Sequence, residues 1–525
     1  MLITEKMEVY HNPILPGFYP DPSICRVGDD YYLVTSSFAY FPGVPIFHSR
    51  DLVNWKQIGH ILDRPAQLDI TEVHQSQGIF APTLRYHQGR FYMITTYVTD
   101  KSTVNFIVTA KDPVGPWSDP IILENARGID PSLYFEGNKA YYVGNREVIQ
   151  AKEYPGQCEI WLQELDLQSM KLIGESKVIW TGALRHAVWP EGPHIYKISD
   201  YYYLLYAESG TAHHHSVCVT RSHRIEGPYE FFQGNPILTH RHLGREYPVV
   251  NVGHGDLVET PKGQWYMVLL GSRIFGGYYR NLGRETFMVP VIWEEGWPVA
   301  SPGTGKVENS YPRPDLSHYH IDPVPEKDDF NSPTLAMEWN FIRTPKEKFY
   351  SLSERPGWLR LKLKPDIISE LKNPSFVGRR LQYINYQARA LMDFQPQSKN
   401  ESAGLILHQN HRYYFEFTMK LISGKKVLQL IRCSEGETQV LAKNEINQAH
   451  TPVELIIQAR GQDYQFKYII DGTKKILAEN IDGRILSTDV AQGFVGAYIG
   501  MYASGNGQNS ASHVDFDWFV YKEWE

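Results

Sequence analysis

The chain has 525 residues, of which 42% are apolar and 21% charged, and its formal charge is −7. That length exceeds one ordinary core, so roughly two to four domains are expected. The negative balance, without any basic run, speaks against a nucleic-acid partner. No apolar run is long enough to cross a bilayer as a helix, so no membrane partner is expected. From Met1 to Met7 there is no apolar h-region and no small-residue cleavage site, which gives a cytoplasmic expectation. Cys25, Cys158, Cys218 and Cys433 are scattered and form no CxxC pair, so they read as reduced thiols, mostly buried.

Along the first three hundred residues one pattern recurs: a turn, two aromatics, then aliphatic residues. It appears at Tyr31-Tyr32, Phe91-Tyr92, Tyr141-Tyr142, Tyr202-Tyr203 and Trp265-Tyr266, each after a turn signal such as Gly28-Asp29-Asp30 or Lys262-Gly263-Gln264. Aromatic and aliphatic runs bounded by turns are strands. Five copies of a strand-rich unit imply a five-bladed β-propeller, in which radial repetition leaves only short sheet edges.

Eleven or twelve residues before each second aromatic stand Asp21, Ala81, Asp130, Glu191 and His254. If the repeats are equivalent, these positions begin the same strand of every blade and converge at one end of the channel. A single Asp-Pro is ordinary turn chemistry. Three acidic residues at equivalent positions point instead to a site, because burying like charges is costly unless they are used. Paired carboxylates suit glycosidic hydrolysis, one donating a proton and the other activating water, and a third raises the acid's pKa. No Walker loop, GxGxxG, HExxH or GxSxG motif offers another chemistry. The high aromatic content, 13%, suits either a β-rich core or stacking on sugars.

Asn12-Pro13-Ile14-Leu15-Pro16-Gly17-Phe18-Tyr19-Pro20-Asp21-Pro22-Ser23 resembles the amino-terminal signature of glycoside hydrolase family 43. So do Ile129-Asp130-Pro131-Ser132, Trp189-Pro190-Glu191-Gly192-Pro193, Gly253-His254-Gly255-Asp256 and Asn281-Leu282-Gly283-Arg284-Glu285-Thr286. The resemblance implies a five-bladed propeller that hydrolyses with inversion. It assigns Asp21 as general base, Glu191 as general acid and Asp130 as the pKa modulator and orienter. An inverting pair stands about 6.5–9.5 Å apart, leaving room for water. His254 and Arg284 match positions that shape the pocket floor. Arg284 is placed to bond sugar hydroxyls and lower a neighbouring carboxylate's pKa, although an ordinary ion pair is its plainer role. Phe38, Phe41 and Phe80 are candidates for the apolar wall, against the alternative of propeller core. Phe80 stands where many xylosidases of the family carry Trp, which would shift preference among pentosides. In the run His213-His214-His215 at most one member is expected near the pocket, the run being most simply a surface turn.

From Ser301 a Gly- and Pro-rich stretch reads as an extended linker, giving a propeller over 1–300, a linker over 301–328 and a further domain over 329–525. There the alternation in Leu359-Arg360-Leu361-Lys362 and Tyr413 to Phe417 implies a two-sheet β-sandwich, so the fold class is all-β. The resemblance implies a concanavalin-like module, which binds sugar or closes one side of the pocket. The glycine-rich segment from Tyr502 to Gly507 is the loop expected to approach the site. The chemistry requires no cofactor. Asp329 and Asp517 are candidates for a structural Ca²⁺, against the plainer reading of turn carboxylates.

The function implied is an exo-acting β-xylosidase on xylooligosaccharides, with α-L-arabinofuranosidase activity in the same pocket on arabinose-substituted oligosaccharides. The alternatives are a dedicated α-L-arabinofuranosidase and, in another class, a non-catalytic sugar-binding propeller. Family analogy adds a homo-oligomer.

Overall fold

The computed structural model describes residues 8–447 and 451–524; Met1 to Met7, the stretch read for a secretory signal, lie outside them. Five antiparallel sheets follow one another in sequence. Blade 1 holds Ser23–Val27, Asp30–Val34, Gly43–Ser49 and Lys56–Leu62, and blade 2 holds Thr83–His87, Arg90–Val98, Thr103–Ala110 and Ile121–Ile122. Blade 3 runs through Ser132–Glu136, Lys139–Glu147, Cys158–Asp166 and Lys171–Trp180. Blade 4 runs through Glu191–Ile198, Tyr201–Glu208, Ser216–Ser222 and Glu230–Phe231. Blade 5 comprises Val249–Glu259, Trp265–Arg273, Glu285–Glu294 and Trp297–Ala300.

The first strand of each blade lies beside the first strands of both neighbouring blades, so these five strands form a closed ring around the channel. The repeat seen in the sequence is a repeat of register. Tyr32, Tyr92, Tyr142, Tyr203 and Tyr266 stand opposite Cys25, Arg85, Leu133, Tyr196 and Val258 of the first strands. The second strands are apolar on both faces because each blade is covered by two others; Leu33, Ile94, Val143, Leu204 and Val268 are fully buried. All four cysteines are buried and unpaired.

The amino-terminal segment adds a further tie to blade 5, where Leu15 bridges Thr286. The segment after blade 5 runs back over the propeller. Ser310–Pro312 pairs with Val9–His11, and Arg313 and the Tyr319 N–H both donate to the buried Asp51 carboxylate.

A second ring of contacts lies two residues beyond His254. Asp256, fully buried, accepts from Ser23 Oγ at 2.7 Å, Tyr196 Oη at 2.5 Å and Arg85 Nη1 at 3.0 Å. Arg85 Nη2 also meets His194 Nδ1 at 2.9 Å. Blades 1, 2, 4 and 5 are thereby tied to one carboxylate, which the Arg85 charge holds well below the usual range against the cost of burial. Asp256→Asn is expected to destabilise the chain by about 3–5 kcal/mol, because it leaves the Arg85 charge buried without its partner. Denaturant unfolding checks this; a midpoint equal to wild type would contradict it.

The carboxy-terminal domain is a sandwich of an eight-stranded and a six-stranded sheet. Its strands alternate as the sequence suggests: in Asn385–Phe394 every second side chain is buried. Among the described residues, the only helical turns are Gly483–Leu486 and Thr488–Ala491. The two domains share backbone pairing, since Phe341–Ile342 joins Tyr40–Phe41 antiparallel. Arg343 Nε donates to the Val73 carbonyl, and Arg380 Nε donates to that of Phe18. Phe41 is spent on this junction. It packs in the apolar core that the domains share and does not reach the channel mouth, so its expected place in the pocket wall is corrected.

Candidate active site

At the mouth of the channel lies a cavity of about 80 Å³, well below the ~300–1,000 Å³ of sites for drug-sized ligands. All five equivalent repeat positions, Asp21, Ala81, Asp130, Glu191 and His254, line it. Their backbones are shaped for it. Asp21, Asp130 and His254 adopt left-handed φ values of 54°, 51° and 53°. A non-glycine residue there carries strain, which the surrounding fold must over-determine and which is typical of functional positions. The left-handed residue turns the chain just before Ser23–Val27 and Ser132–Glu136 begin.

Asp21 is gripped on both oxygens. Arg284 Nη1 donates to Oδ1 at 2.6 Å and Ser36 Oγ donates to Oδ2 at 2.5 Å. Arg284 thus acts as the ion pair that is the plainer of its two expected roles, yet it also lines the cavity and donates to Thr211 Oγ1 at 3.2 Å. The guanidinium lies 5.4 Å from the Phe38 ring centre and 5.8 Å from that of Phe494. Its charge lowers the pKa of Glu191 and of Asp130.

Glu191 is pushed up to about 7, first by burial and then by the Asp21 charge, with Arg284 opposing. Asp130 is held well above the usual carboxylate range by burial, then by Glu191 and Asp21. Burial and like charge therefore raise Glu191 and Asp130 together. His254 and His215 are both lowered, chiefly by burial, the latter to about 3, so both rings are neutral near pH 7.

Phe38 and Phe80 line the cavity with ring centres 5.1 Å apart. A third aromatic comes from the sandwich: Phe494, with ring centres 6.3 Å from both. Its loop is anchored to the propeller, the Phe494 N–H donating to Ser76 Oγ at 2.9 Å and its carbonyl accepting from Arg284 Nε at 3.3 Å. Gly493 turns there with φ of 85°, and any Cβ would meet Ser76 Oγ at 2.2 Å. The segment from Tyr502 to Gly507 does not approach the site. Asn506 Nδ2 instead donates to Ser402 Oγ within the sandwich, and Gly505 N to the Lys364 carbonyl.

Thr211, His215 and Phe494 are lining residues that the sequence reading did not single out individually. His215 is the buried member of the histidine run, its Nδ1 donating to the Asn251 carbonyl at 3.0 Å, while His214 is exposed. Asp329 accepts from the Asn331 N–H in a turn. Among the described residues, no group of three or more His, Cys, Asp or Glu is arranged to hold a metal ion, so Asp329 and Asp517 belong to no such cluster.

Glycosidic hydrolysis asks for a proton-donating and a proton-accepting carboxyl at one cavity. Glu191, raised to about 7, and the salt-bridged Asp21 share this cavity, an arrangement that fits the class of glycoside hydrolases. Residues 10–298 match the family model described as glycosyl hydrolases family 43. Residues 327–522 match the β-xylosidase C-terminal concanavalin A-like domain. The chain is 47% identical to a xylosidase/arabinosidase of Butyrivibrio fibrisolvens, over 98% of this chain and 100% of that protein. It is 39% identical to a non-reducing end α-L-arabinofuranosidase of Bacteroides ovatus, over 98% and 95% of the two chains. The solved structure of a xylan β-1,4-xylosidase from Bacillus halodurans superposes with a TM-score of 0.93 at 37% identity, covering 98% of this chain and 100% of that one. The chain belongs to glycoside hydrolase family 43.

Proposed function

We propose that this protein removes single pentose units, xylose or arabinose, from the non-reducing ends of xylooligosaccharides and arabinose-substituted oligosaccharides, with inversion. The observation that carries the reading is the small cavity that joins Asp21, Asp130 and Glu191 and is walled on one side by Phe494 from the second domain. A pocket closed in this way takes the end of a chain rather than its middle. The xylosidase/arabinosidase of Butyrivibrio and the α-L-arabinofuranosidase of Bacteroides, both similar to this chain, support both pentoses.

In this mechanism Asp21, oriented by Arg284 and Ser36, removes a proton from a water that attacks the anomeric carbon. The bond from that carbon to the leaving oxygen breaks, and Glu191 delivers its proton to that oxygen. Asp130, whose pKa burial and its acidic neighbours raise, hydrogen-bonds a sugar hydroxyl and orients the ring. The acid must keep its proton, so kcat/KM falls as pH rises through about 7.

The test is hydrolysis of nitrophenyl β-D-xyloside and nitrophenyl α-L-arabinofuranoside by the purified chain, with a pH profile taken on a natural disaccharide. Activity on either pentoside with a basic limb near pH 7 on the disaccharide is expected. Preference for the arabinofuranoside would favour the second reading, a dedicated arabinofuranosidase, for which Phe80 in the wall is the relevant feature. Silence on both from folded protein would overturn the proposal.

A further inference from the structure

Outside the catalytic cavity, a groove of about 920 Å³ runs across the top of blade 3, more than ten times the cavity's volume. The two adjoin, since Ile129 and Glu191 line both. Glu191 is the residue that protonates the departing oxygen under the function proposed above, so whatever leaves must lie on its side. The groove begins there.

Its walls are unlike its floor. Trp189, two residues before Glu191, is 47% exposed, and Ile149, which also lines the groove, is 73% exposed. Large apolar side chains left open beside a cleft mark a ligand surface. Trp189 is held in place rather than loose. Its backbone is left-handed, with φ of 47°, and its N–H donates to the Gly156 carbonyl at 2.8 Å. The indole rests on two glycines: a Cβ at Gly156 or Gly210 would come within 3.1 or 2.8 Å of the ring. The floor is polar. Arg146 pairs with Glu159 at 2.7 Å and lies 5.0 Å from the Trp161 ring centre, presenting donors and acceptors for hydroxyl groups. Apolar platforms over a hydrogen-bonding floor suit a saccharide, whose rings have apolar faces and hydroxyl rims.

We propose that the groove binds the leaving group as an extended saccharide chain of several units, with Trp189 and Ile149 as its platforms. The enzyme is then a chain-end hydrolase whose efficiency rises with substrate length, not one tuned to disaccharides. This rests on the pentosidase reading above, and binding energy from remote sugars is expressed in kcat/KM.

The experiment compares kcat/KM of the full chain on xylobiose, xylotriose and xylotetraose, with nitrophenyl xyloside and nitrophenyl arabinofuranoside as controls that do not fill the groove. A rise of about tenfold or more from xylobiose to xylotetraose is expected, equivalent to ~1.4 kcal/mol. In Trp189→Ala the ratio of the two is expected to fall towards one, and Trp189→Phe to restore part of it. Ile149→Asp, at an exposed position that leaves folding intact, is expected to lower the same ratio. Activity on a nitrophenyl pentoside with no gain in length, or a gain that survives all three variants, would overturn this inference and leave the pentosidase reading standing. No activity on either nitrophenyl pentoside would overturn both.

Discussion

Glu191→Ala is expected to lose roughly 10²–10⁴-fold of kcat/KM on a natural disaccharide, the range over which general acids contribute. On nitrophenyl xyloside the loss is expected to be far smaller, because nitrophenolate departs without being protonated. Glu191 opens the first strand of blade 4, its side chain lines the cavity, and burial with the Asp21 charge keeps it protonated to about pH 7. The basic limb of the pH profile is expected to vanish in the variant, since the titrating group is gone. Equal losses on the two substrates would remove Glu191 from the role of acid.

Asp21→Ala is expected to lose activity on both substrates alike, by roughly 10²–10⁴-fold. Water must be activated whatever the leaving group, so a better leaving group does not compensate. The variant also leaves Arg284, buried beside Phe38 and Phe494, without the carboxylate it bonds at 2.6 Å. A thermal unfolding curve therefore belongs with the kinetics, because breaking a buried pair carries its own cost of about 3–5 kcal/mol. A folded variant that keeps wild-type rates on either substrate would end the assignment of Asp21 as base.

Much of this site was legible because the propeller turns chain spacing into geometry. Asp21, Ala81, Asp130, Glu191 and His254 precede their tyrosines by nearly equal intervals, and pairing of first and second strands carries that regularity into one cavity. Arg284 followed from the family motif Asn281 to Thr286, and Phe38 and Phe80 are sequence candidates for the wall, where the structure places them. Phe41 is such a candidate too, but adjacent residues of an extended chain point to opposite sides. Whether Phe41 met the channel or the second domain depended on the pairing of Tyr40–Phe41 with Phe341–Ile342, which no local pattern announces.

Phe494 was hidden for the same reason. Its partners Ser76 and Arg284 lie in another domain, hundreds of residues away in sequence. Glycine richness pointed to the segment from Tyr502 to Gly507, but glycines signal that a chain turns and not where the turn leads. The turn that mattered is Gln492-Gly493, both left-handed, immediately before Phe494. His215 had a visible signal in the histidine run, yet which member turns inward is set by the start of Ser216–Ser222, with His215 buried and His214 exposed. Burial, which only the folded chain supplies, adds to the like charges in raising both Glu191 and Asp130.

The central claim is that Asp21 activates a water while Glu191 protonates the leaving oxygen, so that the sugar is displaced once. The measurement that bears on it most directly is proton NMR of the xylose first released from xylobiose, recorded before the anomers equilibrate. The account predicts that α-xylose appears first from the β-linked substrate. Prompt release of β-xylose would mean two displacements through a covalent intermediate and would contradict it.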